Sequence, residues 1–231
     1  MFNVFVYCGG KCGGLTLFHT FLKNDYQSIH THSNNYYQET SRDKYTIFDN
    51  INLSSKNYEK IYIIDSYRTP IERSISSFFQ NIELHLPNYK NLSIQEIVSF
   101  FNNHNLYKLE DYHPMNEVLT HYNIPLFDNF NFKKGYNMIK QDNKIFIKLL
   151  FKDINNWDKI LSEIFGKNII IHNDNLTENK EYNYLYKKFK ENYKIPKHYL
   201  LNELIHDREF KIYNTETEQS KYIEEWLKKS Y

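Results

Sequence analysis

Phe2-Asn3-Val4-Phe5-Val6-Tyr7-Cys8-Gly9-Gly10-Lys11-Cys12-Gly13-Gly14-Leu15-Thr16-Leu17 joins two apolar runs through a turn of four glycines around one lysine. Residues 2–7 read as a buried strand and Leu15 to Leu22 as a helix. Glycines let backbone N–H groups approach an anion closely, and a helix N-terminus just beyond adds the positive end of its dipole. The stretch therefore predicts a strand, a phosphate cradle and a helix.

Some fifty residues on stands Tyr67-Arg68-Thr69-Pro70-Ile71-Glu72-Arg73-Ser74-Ile75-Ser76-Ser77-Phe78-Phe79. It follows an apolar run, Lys60 to Tyr67, that reads as another strand, and Pro70 suits the first position of a helix running to about Ile82. Ile71, Ile75, Phe78, Phe79 and Ile82 fall on one face of that helix, with Arg73 and Ser76 turned away from it toward solvent or ligand. Only four arginines occur in the chain, Arg42, Arg68, Arg73 and Arg208, and two of them lie here. Strand and helix alternate, with a short strand at Ser28–His32 between the two motifs, so both motifs sit where a parallel sheet presents its ligands.

A magnesium-dependent nucleotide loop of the Walker type needs a glycine five positions before the Gly-Lys pair and a hydroxyl after it. Those positions hold Phe5 and Cys12, and a thiol is a poor ligand for a hard metal. A small-molecule kinase or NTPase is thus the weaker alternative, alongside a non-catalytic nucleotide-binding protein. Gly10-Lys11-Cys12-Gly13-Gly14-Leu15-Thr16-Leu17 instead resembles the 5′-phosphosulfate loop of the sulfotransferases. Gly10 stands where that loop commonly has proline, and Gly14 and Leu15 where it has hydroxyl residues. Arg68, Pro70, Arg73 and Ser76 are similar in spacing to the same superfamily's 3′-phosphate motif. Within it, the chain resembles the capsular polysaccharide sulfotransferase family in Ser76-Ser77-Phe78-Phe79-Gln80-Asn81. Looser matches lie at Asn116-Glu117-Val118-Leu119, Asn123-Ile124-Pro125, Phe132-Lys133-Lys134-Gly135-Tyr136 and Asn175-Leu176-Thr177-Glu178-Asn179-Lys180.

The resemblance implies a single sulfotransferase-like domain over residues 1–231. Its fold would be P-loop-like, in three layers, with a central, mainly parallel sheet flanked by helices and a helical C-terminal region. It implies sulfonate transfer from 3′-phosphoadenosine 5′-phosphosulfate (PAPS) to an acceptor hydroxyl on a carbohydrate, without a metal. Gly9, Gly10, Lys11, Cys12, Gly13, Gly14, Leu15 and Thr16 would hold the donor's 5′ end, and Arg68, Arg73 and Ser76 its 3′-phosphate. Lys11 is the candidate for stabilising leaving-group charge. An acceptor hydroxyl also needs a base, and in Ile29-His30-Thr31-His32-Ser33 the two histidines alternate onto one face of the second strand. His32, nearer the strand's carboxyl end, is the first choice and His30 the second, with His19, His85 and His113 further candidates. His30 and His32 lack a third ligand at local spacing, so no metal site is expected.

Composition fits a chain able to bury a full core: 231 residues, 41% hydrophobic and 17% aromatic. A net charge of +1 excludes a general nucleic-acid or membrane-surface binder, whose footprint would be strongly basic. Cys8 and Cys12 are the only cysteines, and their spacing fits neither a zinc site nor a dithiol redox motif. No stretch approaches the ~20 apolar residues of a membrane span, and no signal peptide is evident at the start, so a cytoplasmic protein is expected. Further along, Ser93 could cap a helix over Ile94–Phe101, Asn123 to Gly135 reads as loop, and Ile145–Phe151 and Asn168–His172 read as strands. From Thr177 the chain reads as helical, broken near Pro196 and around residue 211, and ends in a helix at Glu216–Lys229 that Trp226 is placed to anchor.

Overall fold

The computed structural model describes residues 1–41, 45–108, 113–172 and 180–231. Arg42 and the 175–179 part of the last matching stretch lie outside them. In chain order the elements are β1 (Val4–Tyr7), α1 (Gly14–Lys23), β2 (Ser28–Thr31), α2 (Asn34–Ser41), α3 (Ile47–Ser55), β3 (Ile61–Tyr67), α4 (Pro70–Gln80), α5 (Ile82–His85), α6 (Ile94–Asn103) and α7 (Pro114–His121). There follow β4 (Tyr136–Gln141), β5 (Lys144–Leu150), α8 (Trp157–Phe165), α9 (Asn183–Asn192), α10 (Lys197–Asn202), α11 (Arg208–Tyr213) and α12 (Glu216–Leu227). The chain clusters into two compact units. One comprises residues 1–68 and 112–175, the other 69–111 and 176–231.

The first unit holds the sheet, in the order β2-β1-β3-β5-β4. The β1–β2, β1–β3 and β3–β5 pairs are parallel, and β4 runs antiparallel to β5. Side chains alternate across it. Val4, Val6, Tyr62, Ile64, Ile145 and Ile147 pack on one face against Leu17 and Phe21 of α1 and Trp157 and Leu161 of α8. Phe5, Tyr7, Ile61, Ile63 and Phe146 pack on the other against α3 and α7. Burial on both faces is why β1, β3 and β5 are almost continuously apolar.

β4 is an element the sequence reading missed. It returns through the two-residue turn Asp142-Asn143, with Asp142 at φ +54°, a tight reversal that pairs neighbours antiparallel. The strand expected at Asn168–His172 is absent, and the reason is local. The N–H groups of Ile169, Ile170 and His172 donate to Ser162 Oγ (2.8 Å), Asn24 Oδ1 (3.1 Å) and Thr20 Oγ1 (3.0 Å), so side chains take up the donors a ladder would need.

The second unit is helical, around a core that includes Phe78, Phe79, Phe101, Phe189, Phe210 and Trp226. Ser93 caps α6 in a reciprocal box with Glu96, and Thr215 caps α12 with Glu218. α9 stops before Pro196. The break expected around residue 211 falls instead on either side of α11, because Asp207 caps that helix by accepting from the Phe210 N–H.

A candidate anion-binding site at the end of β1

In the sheet unit, β1 has β2 on one side and β3 on the other. Sheets wound outward from a central strand in this way bind ligands in the crevice beyond the strands' carboxyl ends, where the winding reverses. Here the end of β1 carries Gly9–Gly14, and the end of β3 carries Ser66 and Arg68. The two strand ends are joined directly. Arg68 Nη1 donates to the Lys11 carbonyl at 3.0 Å, and Ser66 Oγ donates to the Cys12 carbonyl. The Arg68 guanidinium also lies 4.6 Å over the Phe151 ring, which holds its plane in place while leaving other N–H groups of the fork for a ligand.

Within the loop, Lys11 (φ +67°) and Gly13 (φ +85°) are left-handed, with Cys12 between them on the ordinary side. Alternation of this kind is the backbone geometry of an anion nest, although here the Cys12 N–H donates to the Gly9 carbonyl at 3.3 Å. Gly13 could bear no side chain, since a Cβ there would meet Trp157 at 2.8 Å. Gly14, the first residue of α1, is as constrained, because a Cβ would lie 2.4 Å from His30 Nε2. Gly10 has open space where its Cβ would be. Leu15 is exposed while Thr16 is buried, so helix phase turns this hydroxyl inward.

Cys12 is 3% exposed and packs with Val4 and Val6, its thiol 3.7 Å from the Gly10 carbonyl. It faces the core. Cys8 is wholly buried, and its thiol is pushed well above the ordinary range by its hydrogen bonding to Cys12, by burial and by the charge of Asp65. It stays protonated and is no nucleophile. Neither cysteine is in a disulfide.

His32 lies just past β2. Its Nδ1 is 2.8 Å from the Cys8 carbonyl oxygen, which can only accept, so Nδ1 carries a hydrogen and Nε2 is the ring nitrogen left to accept in the neutral form. His30 and His32 rings meet edge to face at 4.7 Å, and Tyr36 closes the far side of His32 at 5.0 Å. His30 differs. Its Nε2 is buried with no partner, and burial, helped by His32 and His19, lowers its pKa to about 4. It is neutral and sealed at neutral pH, which leaves His32 the better placed of the two. Of the further candidates, His19 and His113 are half-buried in this unit. His85 is exposed in the helical unit, stacked on Phe78.

Arg73 and Ser76 belong to the helical unit, on α4. Ser76 is buried at 8% exposure rather than turned to solvent, and its hydroxyl has no protein partner among the described residues.

Two further polar pairs, which sequence reasoning missed, lie in the sheet unit. Lys148 Nζ on β5 meets Asp65 Oδ2 on β3 at 2.6 Å across the ladder, both side chains at most 3% exposed. The Met115 N–H at the start of α7 donates to the same oxygen at 3.3 Å, and Asp65 Oδ1 has no partner. Tyr7 donates its hydroxyl to Glu117 on α7 at 2.5 Å. A charge inside each of two apolar strands, Ile61–Tyr67 and Lys144–Leu150, was the available signal, since buried charges must pair.

Among the described residues, no helix is long and apolar enough to cross a membrane, and no cluster of His, Cys, Asp and Glu could hold a metal ion. No protein-family model matches the chain, and neither does any curated protein or solved structure.

Proposed function

We propose that the chain is a sulfotransferase that moves a sulfonate group from PAPS to an acceptor hydroxyl on a carbohydrate, using a P-loop-like version of its α/β sheet. The observation that carries this reading is the 3.0 Å bond from Arg68 to the Lys11 carbonyl, which brings the guanidinium at the end of β3 to the glycine loop after β1. The residues fit such a donor. Gly13 and Gly14 keep side chains out of the cradle, Gly10 has open space where a Cβ would be, and the buried Cys12 offers no oxygen to magnesium.

The donor supplies an activated sulfonate. Lys11 and the loop amides hold its 5′ end and offset the charge that develops there. Arg68 supplies a planar fork for phosphate. His32 Nε2 takes the proton from the acceptor hydroxyl, its ring held by the Cys8 carbonyl. The parts given to Arg73 and Ser76 rest on the sequence motif. With both cysteines free, we assign the protein to the reducing cytoplasm.

The test is transfer of labelled sulfonate from PAPS onto panels of saccharides, phenols and peptides. Saccharides are expected to be labelled, and Lys11→Ala to lower turnover on the order of a hundredfold while the protein stays folded. Near-normal turnover in that variant removes Lys11 from the mechanism. No transfer to any panel removes the function.

A further inference from the structure

A second concave surface lies wholly within the helical unit. It encloses about 500 Å³ beside α6 and the end of α9. Gln95, Ser99 and Asn103 recur every four residues along α6 and so share one face. Each lines the groove, and none has a side-chain partner among the described residues. Ile94 and Val98 form an apolar strip beside them.

Tyr231 closes the groove. Its backbone is held on both sides, by its N–H to the Ile195 carbonyl at 3.3 Å and by the Lys197 N–H to its own carbonyl at 3.1 Å, yet the residue is 66% exposed. A fixed backbone presenting an exposed ring offers an aromatic platform at small entropic cost.

The chemistry of this lining selects among ligands. Lys194 is the single cationic side chain in it, too little for a polyphosphate or an acidic polymer, which call for several cations. The apolar strip is too narrow for a docked amphipathic helix, which needs a continuous face. Amides and a hydroxyl both donate and accept, and with an aromatic ring and a short apolar strip they match a sugar's hydroxyl edge and C–H face. We propose that this groove binds a neutral oligosaccharide strand. Its use as a holding site for a transferase acceptor rests on the function proposed above, but the binding itself does not.

The experiment is a ¹⁵N–¹H NMR titration of the full chain, without nucleotide, using maltohexaose, cellohexaose and chitohexaose as probes. At least one is expected to give saturable shifts centred on α6 and Tyr231. The exposed double variant Gln95→Ala/Asn103→Ala should weaken that binding about tenfold, two hydrogen bonds at roughly 0.7 kcal/mol each. Tyr231→Ala should weaken it too, and Lys11→Ala should leave it unchanged. Shifts absent with all three probes, centred elsewhere, or unaltered in the double variant would overturn the proposal. Because no donor is present, these outcomes are independent of whether the chain transfers sulfonate.

Discussion

The sheet unit and the helical unit carry their costs differently. The helical unit is held by ring against ring, as where Phe189 stacks on Tyr193 at 5.0 Å and Tyr193 meets Trp226 at 5.8 Å. Burial pushes the hydroxyls of Tyr193 and Tyr199 well above the ordinary tyrosine value, which keeps them neutral. The sheet unit concentrates features that packing alone would not select: a buried ion pair, an unpartnered histidine nitrogen and a left-handed lysine. Backbone conformation sharpens the contrast. Five non-glycine residues have positive φ among the described residues, and four are Asp25, Asn105, Asn123 and Asp142, types whose short polar side chains tolerate that region. Lys11 is the fifth. Its conformation is imposed by the loop, and outliers of this kind cluster where a ligand is clamped. Lys11 and the unpartnered His30 nitrogen both lie near the carboxyl ends of their strands, β1 and β2.

The largest test of that contrast is Lys148→Met. Leaving Asp65 buried without its cation should cost about 3–5 kcal/mol in a denaturant melt, whereas Asp65→Leu combined with Lys148→Met should recover most of the loss. A cost under about 1 kcal/mol for the single change would show that the pair is solvated.

His30→Gln comes next, and its effect depends on pH. The native value near 4 lies below the ordinary 6.5, so the unfolded chain takes up the proton first as pH falls. Stability is therefore complete above about pH 6.5 and declines toward pH 4, by roughly 3 kcal/mol at most. The glutamine variant should flatten this decline. An unchanged acid limb would mean that His30 is not the group responsible.

Two glycines give the third comparison. Gly14→Ala should cost about 1–3 kcal/mol, because its Cβ runs into His30. Gly10→Ala should be neutral or stabilise by up to about 1 kcal/mol, since its position is open. Equal effects would break the account of the loop.

How much of this was legible in the sequence depends on the range of the interaction. β1, α1, β3 and α4 were, because each is an uninterrupted periodic run beside a glycine or proline signal. The cap of α6 by Ser93 was readable from four adjacent residues. The false strand at Asn168–His172 was not, because Thr20, Asn24 and Ser162, which take its N–H groups, are separated from it by up to 152 residues. α3 was passed over although Thr46 and Asp49 form a reciprocal cap. The division into two units could not be read from the sequence, because each unit is assembled from two separate stretches of the chain. At the site, the loop, Arg68 and the two histidines were legible. The sealing of His30 against Gly14 was not, since it depends on how β2 lies along α1.

The central claim is that the loop after β1 and Arg68 form one site for a nucleotide phosphorylated at both ends of its ribose. Thermal melts with adenosine 3′,5′-bisphosphate, adenosine 5′-phosphate and ATP, in metal-free buffer and again with magnesium, test it most directly. The account predicts clear stabilisation by the bisphosphate, about 2.7 kcal/mol at a hundredfold excess over its Kd, far less from the monophosphate, and loss of the effect in Arg68→Lys, which keeps the charge but not the fork. Equal stabilisation by mono- and bisphosphate, or a response only to ATP with magnesium, would contradict it.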